Sequence, residues 1–200
     1  MTVWRAPATA LAPAPVLFLD RDGVVIEDRH YLADPEGVVL VAGAADAMRT
    51  AHAAGFRVVG VSNQSGLGRG RFGPGEFAAV MERLEQLLAS EGAAFDAFHY
   101  CPHGPDDGCR CRKPALGLLE EAALRVPFDP ARSWVIGDKA SDVALALGAG
   151  LGAVLVHTGY GAGASAGVQA RWGGEPRVLQ APDLPAAIAA ILARGTSGQP

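Results

Sequence analysis

The stretch Val16-Leu17-Phe18-Leu19-Asp20-Arg21-Asp22-Gly23 decides how this chain is read. Four apolar residues run straight into two acids spaced two apart, followed by a glycine. The apolar run predicts a short buried strand, and the glycine predicts a turn just past its end. Two alternating apolar and helical patterns extend outward from it. Runs at Arg57–Val61, Ala97–Tyr100, Trp134–Gly137 and Ala153–His157 read as further strands. Between and beyond them, Ala44–Ala54 with Gly55 as C-cap, Glu76–Ser90, Ala115–Arg125, Asp142–Leu147 and Asp183–Arg194 read as helices. In Glu76–Ser90 the apolar residues fall at 77, 80, 81, 84, 87 and 88, the spacing of an amphipathic helix. Asp183 is the expected N-cap of the last helix, with Pro185 in its first turn. Strands separated by helices imply a single α/β domain of Rossmann-like topology, with a mostly parallel sheet and right-handed crossovers.

In such folds ligands bind outside the carboxyl ends of the strands. The chemistry-bearing residues follow that rule. Asp20 ends the first strand, Ser62 the second, Cys101 the third and Asp138 the fourth. Only about 40 residues separate Asp20 from Ser62, room for a flap but not for a large inserted cap. The Ala- and Pro-rich residues 1–14 are expected to be a disordered leader and residues 195–200 a disordered tail, leaving one domain over 15–194. The Gly-rich stretch 159–176 matches no dinucleotide or P-loop pattern and is expected to be a flexible loop.

Composition narrows the function. Half of the 200 residues are hydrophobic, which excludes a generally disordered chain. The net charge of −4 gives no basic footprint for a nucleic-acid partner. No apolar run approaches the ~18 residues needed to span a bilayer, so no membrane role is expected. With no clean secretory leader, the reading points to a cytoplasmic chain, and its acidic composition is compatible with a monomer.

The acids and cations suggest a reaction. Two close carboxylates, Asp20 and Asp22, suit a hard-cation site, a nucleophile or a general acid/base; alternation puts them on one side with Arg21 turned away. The plainer reading is a cap and a turn. Ser62-Asn63-Gln64-Ser65-Gly66 offers hydroxyls, amides and backbone N–H groups as a cradle for phosphate oxygens. Gly137-Asp138-Lys139 with Asp142 sets another acid at a strand end, and Arg112-Lys113-Pro114 places two cations before a helix. Each could be a capping residue, polar turn or solvated pair; together, at successive strand ends, they point to one site.

The three cysteines, Cys101, Cys109 and Cys111, form a C-x-H-x5-C-x-C pattern with His103. Four such donors in one short segment can wrap a tetrahedral Zn²⁺. With every position filled by protein no water could be activated, so this zinc would be structural, ordering the loop 101–114 and aiming Arg112 and Lys113. The acidic charge and the lack of interleaved aromatics argue against a zinc-ribbon nucleic-acid module. His52, His99 and His157 fall in helix or strand patterns and read as core or surface residues.

The motifs FLDRDG, SNQSG, the Cys/His cluster followed by CRKP, and GDKASD resemble the haloacid dehalogenase (HAD)-type phosphatases over residues 16–161. Within that group they resemble the enzymes that dephosphorylate D-glycero-D-manno-heptose 1,7-bisphosphate; histidinol-phosphatase is a close cousin. The resemblance implies a Mg²⁺-dependent phosphoric monoester hydrolase of carbohydrate metabolism with a small phosphorylated sugar as substrate. It implies Asp20 as nucleophile and Asp22 as acid/base and main-chain metal ligand. Asp138 would be the second acidic ligand, and Ser62 and Lys113 would hold the phosphoryl oxygens. Arg112 would grip a remote part of the substrate, such as its second phosphate. Lys139 would reach substrate or give a backbone oxygen to the metal, and Asp142 would act from behind or as a cap. Asp28, Arg29, His30, Tyr31, Asn63, Gln64 and Ser65 would line the sugar site. His30 stands where the family more commonly has Gly, adding bulk beside the sugar. The GYG at 159–161 and the RGRF segment at 69–72 lean toward the heptose enzyme. The rivals are histidinol phosphate hydrolysis and, from another class, a non-catalytic zinc-stabilised binding module.

Overall fold

The computed structural model describes residues 13–196. Strand β1 (Val16–Leu19) is buried along its whole length, as a central strand covered on both faces must be. It lies between β2 (Arg57–Asn63) and β4 (Trp134–Gly137), and β3 (Ala97–Cys101), β5 (Gly152–Val156) and β6 (Val178–Ala181) complete a six-stranded sheet. The order is β3-β2-β1-β4-β5-β6, and every pairing is parallel.

The side-chain period of two divides each strand between two apolar layers. Leu17, Leu19, Val58, Ile136 and Val154 face one core, which takes in Met48 of α1 (Ala44–Ala53), Leu84 and Leu88 of α3 (Pro74–Ser90), and Ile188 of α7 (Leu184–Thr196). Val16, Phe18, Val59, Val135 and Leu155 face the other core. It is covered by Leu118 of α4 (Gly117–Ala123), Leu145 of α5 (Ala140–Gly148) and Val168 of α6 (Gly161–Trp172). The short helix α2 (Ser65–Gly68) sits at the end of β2. No cap domain intervenes between β1 and β2, only a flap, one short 3₁₀ turn and α1.

Local signals set the helix ends. Gly55 adopts φ +84° after α1, and the Asp183 carboxylate accepts from Ala186 N–H at 2.9 Å, both as the sequence predicts. Helix α3 starts two residues earlier than the apolar periodicity, at Pro74, where the Glu76 carboxylate accepts from the Gly73 N–H at 2.7 Å, the half of a capping box that a glycine N-cap allows.

Two expectations are corrected. The Gly-rich 159–176 is not a loop: 161–172 form α6, whose Val168 and Trp172 pack on the second core. Strand β6, which the sequence reading did not anticipate, follows it at the sheet edge. The terminal boundaries also shift. Residues 1–12 of the expected leader and 197–200 of the expected tail lie outside the described residues. Ala14, however, bridges Phe128, and α7 continues through Thr196.

Candidate active site

The sheet order reverses between β1 and β4, and such a switch point opens a crevice at the carboxyl ends of the two strands. Asp20 follows β1 and Asp138 follows β4, so the order of strands brings these two acids face to face. The Asp20 N–H donates to Ile136 O at 3.0 Å, tying the end of β1 to β4. Oxygens of Asp20, Asp138 and Asp142 lie within 4.8 Å of one another, and all three side chains are buried.

Lys113 penetrates this acidic cluster. Its Nζ lies 3.0 Å from Asp20 Oδ2 and 2.6 Å from Asp142 Oδ1, and donates to Val61 O at 2.8 Å. Burial alone would lower the Lys113 pKa, but the Asp142 and Asp20 carboxylates outweigh it and hold the ammonium form. Burial would likewise raise Asp20. Lys113, Lys139 and the Arg21 N–H overcome that and keep it below its usual value, an ionised carboxylate in a dry site. Asp138 has only a more distant cation, Lys139 Nζ at 3.5 Å from its Oδ1: burial, and then the Asp20 charge, push it up to about 7 against the pull of Lys139 and the Tyr160 N–H. Asp142 is raised as well, chiefly by burial. It also caps α5, accepting from the Lys139 N–H at 3.1 Å.

These residues fit a hard divalent cation. The donors are carboxylate oxygens, the preferred ligands of Mg²⁺, and Asp138 Oδ1 is buried without a hydrogen-bond partner. Gly23 and Gly159 close against the other oxygen. A Cβ on either would come within 2.5 Å or 2.3 Å of Asp138 Oδ2, and both residues hold positive φ, +79° and +55°.

The loop after β3 brings the second donor set together. Cys101 Sγ lies 3.5 Å from Cys109 Sγ and 3.6 Å from His103 Nδ1. Cys111 Sγ lies 3.2 Å from His103 Nδ1 and 3.6 Å from Cys109 Sγ. Those are close to the edges of a tetrahedron built on Zn–S bonds of ~2.3 Å. Helix α2 packs on this loop at Gly68, where a Cβ would come within 2.8 Å of Pro102 O and Gly104 N.

The cleft above the acids is lined by Asp22, Asp28, His30, Tyr31, Gln64, Ser65, Lys139 and Tyr160, among others, with a volume of about 240 Å³. Most of the residues expected at the sugar site are therefore assembled. Asn63 lines the cleft too, but its amide is spent on the Lys113 backbone: it accepts from Lys113 N–H at 3.0 Å and donates to Lys113 O at 3.2 Å. Two of the expected residues stand apart. Arg29 pairs with Glu27 at 2.9 Å on the exposed flap, and Arg112 turns to His103 O at 3.5 Å; neither lines the cleft. Ser62 is buried beneath the cleft and accepts from Gln64 Nε2 at 2.8 Å.

Arg21 is not turned away from its neighbours. The chain turns after β1, with Val25 N–H and Ile26 N–H both donating to Arg21 O, so strand alternation stops at Asp20. The Arg21 guanidinium then forks onto Asp22, and the Asp22 carboxylate stands outside the Asp20–Asp138–Asp142 cluster. Tyr160 is a residue that sequence reasoning missed. Its N–H donates to Asp138 Oδ2 at 2.8 Å, its ring lies 4.6 Å from Lys139 Nζ, and its hydroxyl meets His30 Nδ1 at 2.9 Å. Its place in the GYG segment just past a strand end was the available signal.

Comparisons with known proteins agree with this geometry. A family model described as HAD-hydrolase-like matches residues 110–183. The D-glycero-beta-D-manno-heptose-1,7-bisphosphate 7-phosphatase of Yersinia pestis is 38% identical over 185 residues, covering 88% of this chain and 96% of that protein. The enzyme of the same name from Escherichia coli K12 is 38% identical over 153 residues, covering 72% of this chain and 80% of that one. Among solved structures, D,D-heptose 1,7-bisphosphate phosphatase from B. bronchiseptica, complexed with magnesium and phosphate, superposes with a TM-score of 0.80 at 35% identity. It covers 90% of this chain and 99% of its own. With that likeness along nearly the whole chain, and an acid-lined crevice at the switch point of the sheet, the chain belongs to the heptose bisphosphate phosphatase family of HAD-type hydrolases.

Proposed function

We propose that this chain removes the C7 phosphate of D-glycero-D-manno-heptose 1,7-bisphosphate, leaving heptose 1-phosphate, by way of an aspartyl-phosphate on Asp20. The observation that carries the reading is the buried Asp20 carboxylate, 3.0 Å from Lys113 Nζ and set beside Asp138 and Asp142. The names of the relatives support the substrate. In the first step an Asp20 oxygen attacks phosphorus and the P–O bond to C7 breaks, with Asp22 giving its proton to the departing sugar oxygen. In the second, Asp22 takes a proton from water as that water attacks phosphorus. The bond to Asp20 breaks, and inorganic phosphate leaves. Lys113 and Ser62 hold the phosphoryl oxygens with preorganised donors. The carboxylates of Asp20 and Asp138 and the main-chain carbonyl of Asp22 are the expected Mg²⁺ ligands. Bound there, the ion offsets the ester's two negative charges, which otherwise repel the nucleophile. Asp28, His30, Tyr31 and Ser65 contact the sugar from the flap and α2, with Lys139 reaching it from the end of β4.

Cys101, His103, Cys109 and Cys111 hold one structural zinc in this reading. With four protein donors such an ion would have no open position for water, and it would serve to fix the loop that delivers Lys113.

A phosphate-release screen tests the proposal, using both anomers of heptose 1,7-bisphosphate and histidinol phosphate, each with and without Mg²⁺. The heptose esters are expected to turn over fastest, and only with Mg²⁺. Preference for histidinol phosphate would replace the substrate assignment. Asp20→Asn is expected to abolish release while keeping the thermal transition; surviving activity would remove Asp20 as nucleophile.

A further inference from the structure

Strand alternation leaves Arg21 without a task, yet its side chain is among the most deeply buried in the molecule, with 2% of it exposed. Burying a guanidinium is costly unless its donors are satisfied. Here they converge on one group. Arg21 Nη2 lies 2.9 Å from both Asp22 oxygens, and Nε lies 3.1 and 3.2 Å from them. Gln64, also buried, completes the frame. Its Oε1 accepts from Arg21 Nη2 at 3.1 Å, and its Nε2 donates to Asp22 Oδ2 and to Ser62 Oγ, each at 2.8 Å. Helix α3 backs the guanidinium with Met81 Sδ at 3.7 Å from Nη1 and the Phe77 ring centroid at 5.7 Å. Against this frame the Asp22 side chain keeps 20% exposure and lines the cleft.

We propose that Arg21 and Gln64 are positioning residues for the reaction. Together they hold the Asp22 carboxylate in one orientation toward the cleft, and Gln64 ties it to the phosphoryl seat at Ser62. The inference rests on the reading of Asp22 as the proton donor to the leaving oxygen. A carboxylate on a short side chain rotates freely about two bonds. Proton transfer requires its oxygen within hydrogen-bond reach of the leaving atom, so fixing that rotation raises the fraction of productive encounters. Arg21 and Gln64 grip Asp22 from the protein side and leave lone pairs for the substrate side. Because Gln64 donates to Ser62 Oγ, the serine's own proton is free for a phosphoryl oxygen. One amide thus aligns both ends of the bond to be broken.

A double-mutant cycle on kcat with heptose 1,7-bisphosphate and Mg²⁺ tests this. Arg21→Met and Gln64→Leu are each expected to lower kcat by about tenfold or more, with KM changed by less than about threefold. In the Asp22→Asn background Arg21→Met is expected to cost under about twofold, because the group it positions is already gone, while Gln64→Leu is expected to keep only the part of its loss that passes through Ser62. An Arg21→Met loss that multiplies with Asp22→Asn, or singles within twofold of the parent, overturns the proposal. On p-nitrophenyl phosphate, whose leaving group needs little protonation, the Arg21→Met deficit is expected to shrink; an equal deficit on both esters also overturns it. If Arg21→Met does not fold, Arg21→Lys and Gln64→Leu carry the same cycle, since lysine lacks the planar fork and is expected to restore only part of the rate. A parent enzyme inactive on the heptose ester would remove the proposed substrate instead, and the cycle would then be decided on the ester that the screen identifies.

Discussion

Lys113 shows how one residue joins the chemistry to the stability of the protein. Its ammonium, 1% exposed, is shared by Asp20 and Asp142, themselves nearly inaccessible. Removing one partner of a buried ionic group leaves uncompensated charge, which costs about 3–5 kcal/mol, whereas the intact group adds little net stability. Lys113→Met is therefore expected to lower the unfolding free energy by about that amount at neutral pH and to depress turnover as well. Urea unfolding followed by circular dichroism measures the first effect, and an unchanged midpoint would contradict it. Lys113 was legible from the sequence as part of a basic pair at the start of a helix. Its grip on Asp142 was not, because only folding brings the segment after β3 against the start of α5.

At the scale of elements, α3 carries a charge that works against it. Glu85 lies one turn beyond Glu82 and is half-buried; burial, then the Glu82 charge, raise its carboxyl from 4.5 to about 7. A folded-state pKa above the unfolded one means that the native state binds the proton more tightly. The associated stability is full below the unfolded value and is lost as pH rises through about 7. Glu85→Gln is accordingly expected to raise the thermal midpoint at pH 8 and to leave it unchanged near pH 4. Differential scanning calorimetry at the two pH values checks this, and an equal shift at both would assign the effect to packing. Helix α6 teaches the opposite lesson about reading elements. Its Gly, Ala and Ser residues lack a strong apolar stripe, so periodicity does not reveal it. Gly161 is nonetheless required at its start, where a Cβ would come within 1.6 Å of Val156 O. Small residues there serve a close approach to β5 that only the packed structure makes visible.

Across the whole molecule, the loop after β3 couples the Cys/His cluster to the active site. Cys111 is two residues from Lys113, whose backbone is clamped by Asn63 at the end of β2. Elemental analysis is expected to give about one zinc per chain. Cys109→Ser is expected to reduce both zinc content and thermal midpoint, since binding free energy at such a site is folding free energy. Turnover should fall in parallel as Lys113 loses its anchor; a zinc-depleted chain with full activity and an unchanged midpoint would refute the coupling.

The sequence by itself determined the α/β class, five of the six strands, the absence of a large cap, and the chemical residues at strand ends. Those features depend on local pattern: short apolar runs, helical spacing, and acids or thiols at the points where runs stop. Tertiary structure alone decided the strand order that puts Asp20 beside Asp138, and the edge position of β6. It also decided the fork of Arg21 on Asp22, the diversion of Arg112 from the cleft, and the contact of Tyr160 with Asp138. Each joins segments or reverses a local alternation through turns and buried hydrogen bonds. Such pairings are selected by the desolvation cost of leaving a charge or a donor unpaired in the interior, a cost that exists only once the chain has enclosed them.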